Sequence, residues 1–178
     1  MTTENVTETE HEAITELREH LRKIALISHA STVLSWDQET HMPSSGGGVR
    51  AEALGELAGI AHERSQQPAL GESIERAEEA AFAAGDETLQ ALVREVRHDY
   101  ERSLRIPVEH ATESAEVNSK SIMAWQAARE QDDFSAFQPM LSRQIELQKA
   151  EAEYLRDDED CLYDVLMNKY ERGMTSAS

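Results

Sequence analysis

One cysteine, four prolines, eight glycines and an aromatic share of 5% are all that 178 residues hold of the types that staple, break or cover a chain. The lone Cys161 excludes an intramolecular disulfide and fits a reducing compartment. Scarce proline and glycine disfavour a turn-dense sandwich or barrel. The abundance of Ala, Glu, Leu and Arg favours helices, with a core built mainly from Ala, Leu, Ile and Val. Basic residues are also few, 17 against 35 acidic ones, for a formal net charge of −18. That balance argues against a nucleic-acid surface and equally against binding to anionic lipid. Only Lys23, Lys120, Lys149 and Lys169 are lysines, the other basic residues being arginines. A strongly acidic, lysine-poor surface suits a protein working in high salt, where screening relieves self-repulsion; an ordinary acidic cytosolic protein is the alternative. No run approaches the roughly 18 apolar residues that span a bilayer. The polar, acidic start of the chain has no signal-peptide character, so the expectation is a cytoplasmic protein.

Helical periodicity runs throughout. From about Glu8 to Thr40, the residues Ile14, Leu17, Leu21, Ile24 and Ala25 recur at three- and four-residue spacing, and Ser28, Ser31 and Leu34 or Ser35 extend the stripe. Ser28, Ala30 and Ser31 are small enough to admit another helix closely. Pro43 stops this helix ahead of a Ser-Ser-Gly-Gly-Gly loop. A second helix is predicted from about Val49 to Gln66, and a third from Pro68 to Ala84, ended by Gly85. Asp86 is the expected N-cap of a fourth, running to about Arg105 with Leu89, Leu92, Val93, Val96 and Tyr100 on one face. Pro107 opens a fifth to about Glu130. Ser135, three residues before Gln138, has the capping-box spacing for a sixth to about Arg156. After the acidic break 157–160, a short helix covers about Leu162 to Tyr170, and Gly173 is placed to cap it. No stretch alternates as a strand does. The fold class is all-α, about six to seven helices in a single domain over residues 1–178.

Four segments carry a resemblance. The first is Trp36-Asp37-Gln38-Glu39-Thr40-His41-Met42-Pro43. The second runs from Arg50 through Leu54 and Leu57 to His62. The third is Val93 to Tyr100, followed by Pro107, and the fourth is Asp133-Phe134-Ser135-Ala136-Phe137-Gln138-Pro139. Together with Tyr163 to Thr175, their order and spacing resemble the N-terminal third of the Taq-type zinc metallocarboxypeptidases. The resemblance implies a helical body with a deep substrate groove, homodimer formation, and release of C-terminal residues from peptides. It also implies a His-Glu-x-x-His zinc site with a downstream Glu, in a part of the family pattern beyond these segments. It marks Trp36, Asp37, Thr40, Met42, Pro43, Arg50 and His62 as motif residues at an interface or lining the groove.

The chemistry of that family needs two imidazoles one helical turn apart and a glutamate between them. The nearest approach is His11-Glu12-Ala13-Ile14-Thr15, with Thr in the second ligand position, so no catalytic or metal residue is assigned. Asp37 and His41 share a face at i, i+4 and could form half a metal site; the structural alternative is that they tie the helix end to its neighbours. Trp36 reads more readily as a packing anchor than as a substrate platform, and Cys161 as a minor packing residue. The Glu-x-x-His spacing of di-iron bundles occurs at Glu8–His11 and Glu95–His98, against about one pair expected by chance. On the fourth helix His98 lies opposite the apolar stripe, which argues against a core metal site.

Three functions stay open. One is a stand-alone, non-catalytic association module, forming a homodimer through the first helix and the Trp36–Pro43 segment. Another is one part of a split carboxypeptidase completed by a separate zinc-bearing chain, which alone would bring zinc. The third is a piece of a longer peptidase. No other cofactor, nucleic acid or membrane partner is expected.

Overall fold

The computed structural model describes residues 3–157 and 161–177, with side chains from residue 11 onward. These residues form seven α-helices and no strand: α1 (Thr3–Thr40), α2 (Gly47–Ser65), α3 (Pro68–Ala84), α4 (Glu87–Arg105), α5 (Val108–Glu130), α6 (Phe134–Leu155) and α7 (Leu162–Met167). No helix among the described residues is long and apolar enough to cross a membrane. The chain divides into two compact units, Met1–Ala30 with Ile60–Leu104, and Ser31–Gly59 with Arg105–Ser178. Both α1 and α2 therefore contribute residues to each unit.

The first unit is built on the apolar stripe of α1. Ala13, Ile14 and Leu17 close with Leu70, Ile74, Ala77 and Ala80 of α3 and Val93 of α4, and Leu21, Ile24, Leu89, Val96 and Tyr100 pack against them. Small residues on α3 make this possible: a Cβ at Gly71 would stand 2.6 Å from the Tyr100 hydroxyl oxygen. The apolar faces are narrower than the sequence suggests, since Ala25 and Ser28 of α1 and Leu92 of α4 are exposed. Each lies at the edge of a periodicity that fixes a face only to within one residue. Asp86 caps α4 as expected, accepting from the Leu89 N–H at 3.0 Å.

The second unit centres on the α5–α6 hairpin, which buries Val117, Ala128 and Leu147. Its corner is tight. The Asp133 N–H donates to the Ala128 carbonyl at 2.9 Å and the Asp132 N–H to the Arg129 carbonyl at 3.3 Å, the paired bonds of a Schellman ending. Asp132 takes the left-handed position with φ 51°. Replacing it with glycine removes the Cβ conflict of that conformation. The expected gain is about 0.5–1 kcal/mol of stability, read as a higher urea midpoint at unchanged slope.

The cap of α6 is Asp133 rather than Ser135. Its carboxylate accepts from the Ser135 and Ala136 N–H groups at 3.0 and 3.3 Å, and from the Ser135 hydroxyl. The capping-box spacing selected the wrong member of two adjacent good caps. The Ser135 hydroxyl holds the Asp133 carboxyl below its ordinary 3.8, helped by the two backbone donors and opposed by burial. A depressed carboxyl contributes stability above its unfolded value and loses it as pH falls through the folded one. The stability difference between the wild type and Asp133→Asn, which keeps the cap, should shrink below pH 3.8. A difference constant from about pH 5 to 2 counts against this charge-assisted cap.

At the far end of α6, Ala152 and Leu155 pack with Val165 of α7, flanked by Ile106, Leu162 and Leu166. The Arg105 guanidinium donates to the Tyr154 carbonyl at 3.0 Å, and Lys169 pairs with the buried Glu151 at 2.9 Å. The last helix is shorter than its periodicity suggests. It ends at Met167, and Gly173, at φ 79°, is not its cap but donates its N–H to Asn168 Oδ1 at 3.1 Å.

Candidate functional site

The corner between α1 and α2 gathers six of the seven motif residues. Two N–H groups, of His41 and Met42, converge on the Asp37 carbonyl at 2.9 Å each and end α1. Pro43 follows at φ −65°, ψ 147°, and a single 3-10 turn at Ser44–Gly46 leads directly into α2. Arg50 lies in the first turn of α2, where its guanidinium reaches back across the corner. One arm donates to Asp37 Oδ2 at 2.6 Å and another to the Leu34 carbonyl. Its side chain is only 15% exposed, against 36% for Asp37. A planar fork with two simultaneous acceptors is what arginine provides and lysine does not. Trp-Asp…Arg is thus a latch that fixes where α2 leaves α1.

Thr40, Trp36 and Met42 lie beside that latch. Thr40 Oγ1 donates to the Trp36 carbonyl at 2.7 Å and stands 2.8 Å from His41 Nδ1. Trp36 is not the buried anchor its type suggested. It is 59% exposed, with its ring tilted at 49° against His41 and 5.1 Å between centroids. Met42 is half-buried against Gly46, where an added Cβ would stand 3.1 Å from Met42 Cγ. His62 belongs to the other unit. Its carbonyl accepts from the Ser65 hydroxyl at 2.7 Å, and its Nε2 lies 3.2 Å from Gln66 Nε2.

Two further ties hold this part of the second unit. Gln38 and Ser119 exchange hydrogen bonds, the Ser119 hydroxyl donating to Gln38 Oε1 at 2.7 Å and Gln38 Nε2 to the Ser119 carbonyl at 3.0 Å. Nothing in the local sequence announces a pairing over 81 positions. The second is a close helix approach. A Cβ at Gly55 would stand 2.6 Å from Glu116 Cγ and one at Gly59 2.6 Å from Thr112 Oγ1, so these two glycines let α2 lie directly on α5.

Among the described residues no group of three or more His, Cys, Asp or Glu side chains is placed to hold a metal ion. The Asp37 carboxylate is engaged by Arg50, and the His41 ring by Trp36 and Thr40. Thr15 spends its hydroxyl on the His11 carbonyl at 2.8 Å. Glu95 is exposed, while His98 is half-buried rather than solvent-facing. Cys161 is exposed at the start of α7 rather than packed.

Residues 16–178 match the family model of the carboxypeptidase Taq (M32) metallopeptidases. The chain belongs to this family and corresponds to its N-terminal region. It is 37% identical to thermostable carboxypeptidase 1 of Pyrococcus furiosus over 169 residues, covering 93% of this chain and 32% of that protein. Against thermostable carboxypeptidase 1 of Thermus thermophilus the identity is 34% over 171 residues, covering 91% and 34%. The crystal structure of BsuCP superimposes with a TM-score of 0.86 at 28% identity, over 94% of this chain and 33% of that one. The chain therefore spans about a third of the length of the curated relatives it matches.

Proposed function

We propose that this chain is a non-catalytic helical module of the carboxypeptidase Taq family, whose role is association, most simply as a homodimer. The donor inventory supports the first half. His-Glu-x-x-His does not occur in the 178 residues, and a threonine hydroxyl bonded to its own helix cannot replace an imidazole ligand. The observation that carries the second half is Trp36. The latch fixes the backbone on which it stands, yet 59% of it faces solvent, with Val33 one turn earlier also exposed at 49%. A rigidly presented indole beside an aliphatic neighbour is a contact that a second copy would cover. In this reading Trp36 and Met42 make the contact while Asp37, Thr40, Pro43 and Arg50 hold it in place. His62 is assigned to a groove wall. The cytoplasm is the compartment we assign, in keeping with one unpaired cysteine.

Light scattering on the purified chain tests this. The expected mass is twice 20.0 kDa, falling to 20.0 kDa in Trp36→Ala. A monomeric wild type at tens of micromolar, a range in which stable dimers persist, sinks the association reading. The chain alone should retain no stoichiometric zinc and release no C-terminal residues from peptides. Zinc-dependent release would overturn the non-catalytic reading.

A second reading keeps the family's chemistry and makes this chain one part of a split carboxypeptidase. A separately encoded chain bearing His-Glu-x-x-His would then co-purify with this one and supply the zinc. The acidic surface suits a salt-rich environment. Raising KCl from about 0.1 to 2 M should lift Tm by about 5 °C or more, since screening relieves repulsion within a chain of net charge −18. An unchanged Tm returns the protein to the ordinary acidic class.

A further inference from the structure

Within the second unit, α1, α2 and α5 leave a partly open cleft of about 240 Å³ between them. Small residues line much of it, Ser31 and Ser35 from α1, Ala58 from α2 and Ala115 from α5. At Gly55 and Gly59 small residues bring α2 onto α5; here they leave a gap. Leu54 and Ile122 supply its larger apolar surfaces. Apolar walls facing a gap lack the partner atoms that close packing would give them.

The polar groups around the cleft are selective. None of the side chains lining it is ionisable, although 29% of the chain is charged. Gln38 and Ser119 satisfy one another. Ser35 behaves unlike other hydroxyls of α1. Thr15, Ser28 and Thr40 each donate to the carbonyl four residues earlier, at 2.8, 3.2 and 2.7 Å, whereas Ser35 makes no such bond. Asn118 accepts from Gln144 Nε2 at 3.2 Å through its carbonyl oxygen, which leaves its NH2 group to donate elsewhere. The half-buried Ser35 hydroxyl and the exposed Asn118 amide therefore border an apolar space lined by no ionisable side chain.

We propose that this cleft binds a small uncharged molecule with a compact apolar body and one oxygen that accepts a hydrogen bond. An anion would meet no cation there and a cation no carboxylate, so either would lose hydration without compensation. Size sets the scale. An apolar cavity of about 150 Å³ in another protein takes up benzene, so this volume admits a ring bearing a substituent of about three further atoms. In this proposal the oxygen accepts from Asn118 Nδ2 and bonds the Ser35 hydroxyl.

Benzamide is the neutral probe, with benzoate and benzylamine as its charged counterparts. Each is titrated into the 15N-labelled full chain and followed by amide shifts. Benzamide should give saturable shifts at Ser35, Ala58, Ala115 and the Asn118 side-chain NH2, with Kd of about 1 mM or tighter for so small a ligand. The charged probes should bind at least about tenfold more weakly, because the site offers them no countercharge. Ala115→Leu, which fills the cleft, should abolish the shifts. Should that variant fail to fold, Ser35→Ala carries the test, with an expected weakening of about fivefold for one lost hydrogen bond. Non-saturable or scattered shifts, equal binding of benzoate, or unchanged affinity in Ser35→Ala would each overturn the proposal.

Discussion

Replacing Ile74 with alanine is expected to lower the unfolding free energy by about 3–4 kcal/mol. Ile74 has no exposed surface and sits on α3 among Leu17 of α1, Leu70 and Val93. The substitution removes three carbons from a site ringed by side chains on three helices. Its neighbours Leu17, Leu70 and Val93 are themselves buried in the same cluster, so they can relax into the gap only in part. The loss therefore combines the transfer of the buried carbons with the cavity they leave behind. Ile74→Val should cost only about 1 kcal/mol, and the two together separate cavity formation from a general weakness of the helix. Urea titration followed by far-ultraviolet circular dichroism is the measurement. A loss under about 1 kcal/mol in Ile74→Ala would mean that α1, α3 and α4 do not close on this residue.

Arg50→Ala should produce the second-largest effect, about 2 kcal/mol. This falls below the cost of breaking a fully buried pair because Asp37 remains 36% exposed and solvent screens it. The loss has two parts. Asp37 is left without its partner at 2.6 Å, and the Leu34 carbonyl loses a donor it receives in addition to the helix. Arg50→Lys is the informative companion. A single ammonium cannot reproduce a fork that spans two acceptors, so lysine should recover less than half of the loss. Full rescue by lysine would reduce the latch to simple charge neutralisation. Asp37→Asn should fall between the wild type and Arg50→Ala, because the amide oxygen still accepts from the guanidinium.

The helices were legible because their signals are local. Pro68 at the first helical position and Gly85 at φ 64° bound α3 as the sequence suggests. Where two equally good local signals stood side by side, as with Asp133 and Ser135, spacing could not rank them and the geometry chose the residue nearer the turn. Ranges also slipped where tertiary contacts decide the ending. The last helix stops at Met167 because the following turns bring Lys169 to Glu151 and Asn168 to Gly173, neither of which periodicity can register. The candidate site was visible as a list of residues and not as an arrangement. Arg50 and Asp37 are separated by 13 positions and a proline-containing turn, and no helical pattern pairs residues across such a break. Likewise, nothing local separates His62 from the other motif residues, though it lies in the other unit. Trp36 misled for a related reason. Burial is a property of the whole surface, and a large apolar side chain at a helix end is consistent with either outcome.

The two tryptophans, Trp36 and Trp125, both lie in the second unit, and the first holds none. Indole fluorescence therefore reports on one half of the molecule, while the helical circular dichroism signal sums over both. The chain carries its own optical partition. Denaturation curves from the two signals will coincide if the units unfold together and separate if they do not. Replacing both indoles with phenylalanine and setting one at Phe82, on exposed surface of α3, would move the same readout to the silent half without disturbing its interior.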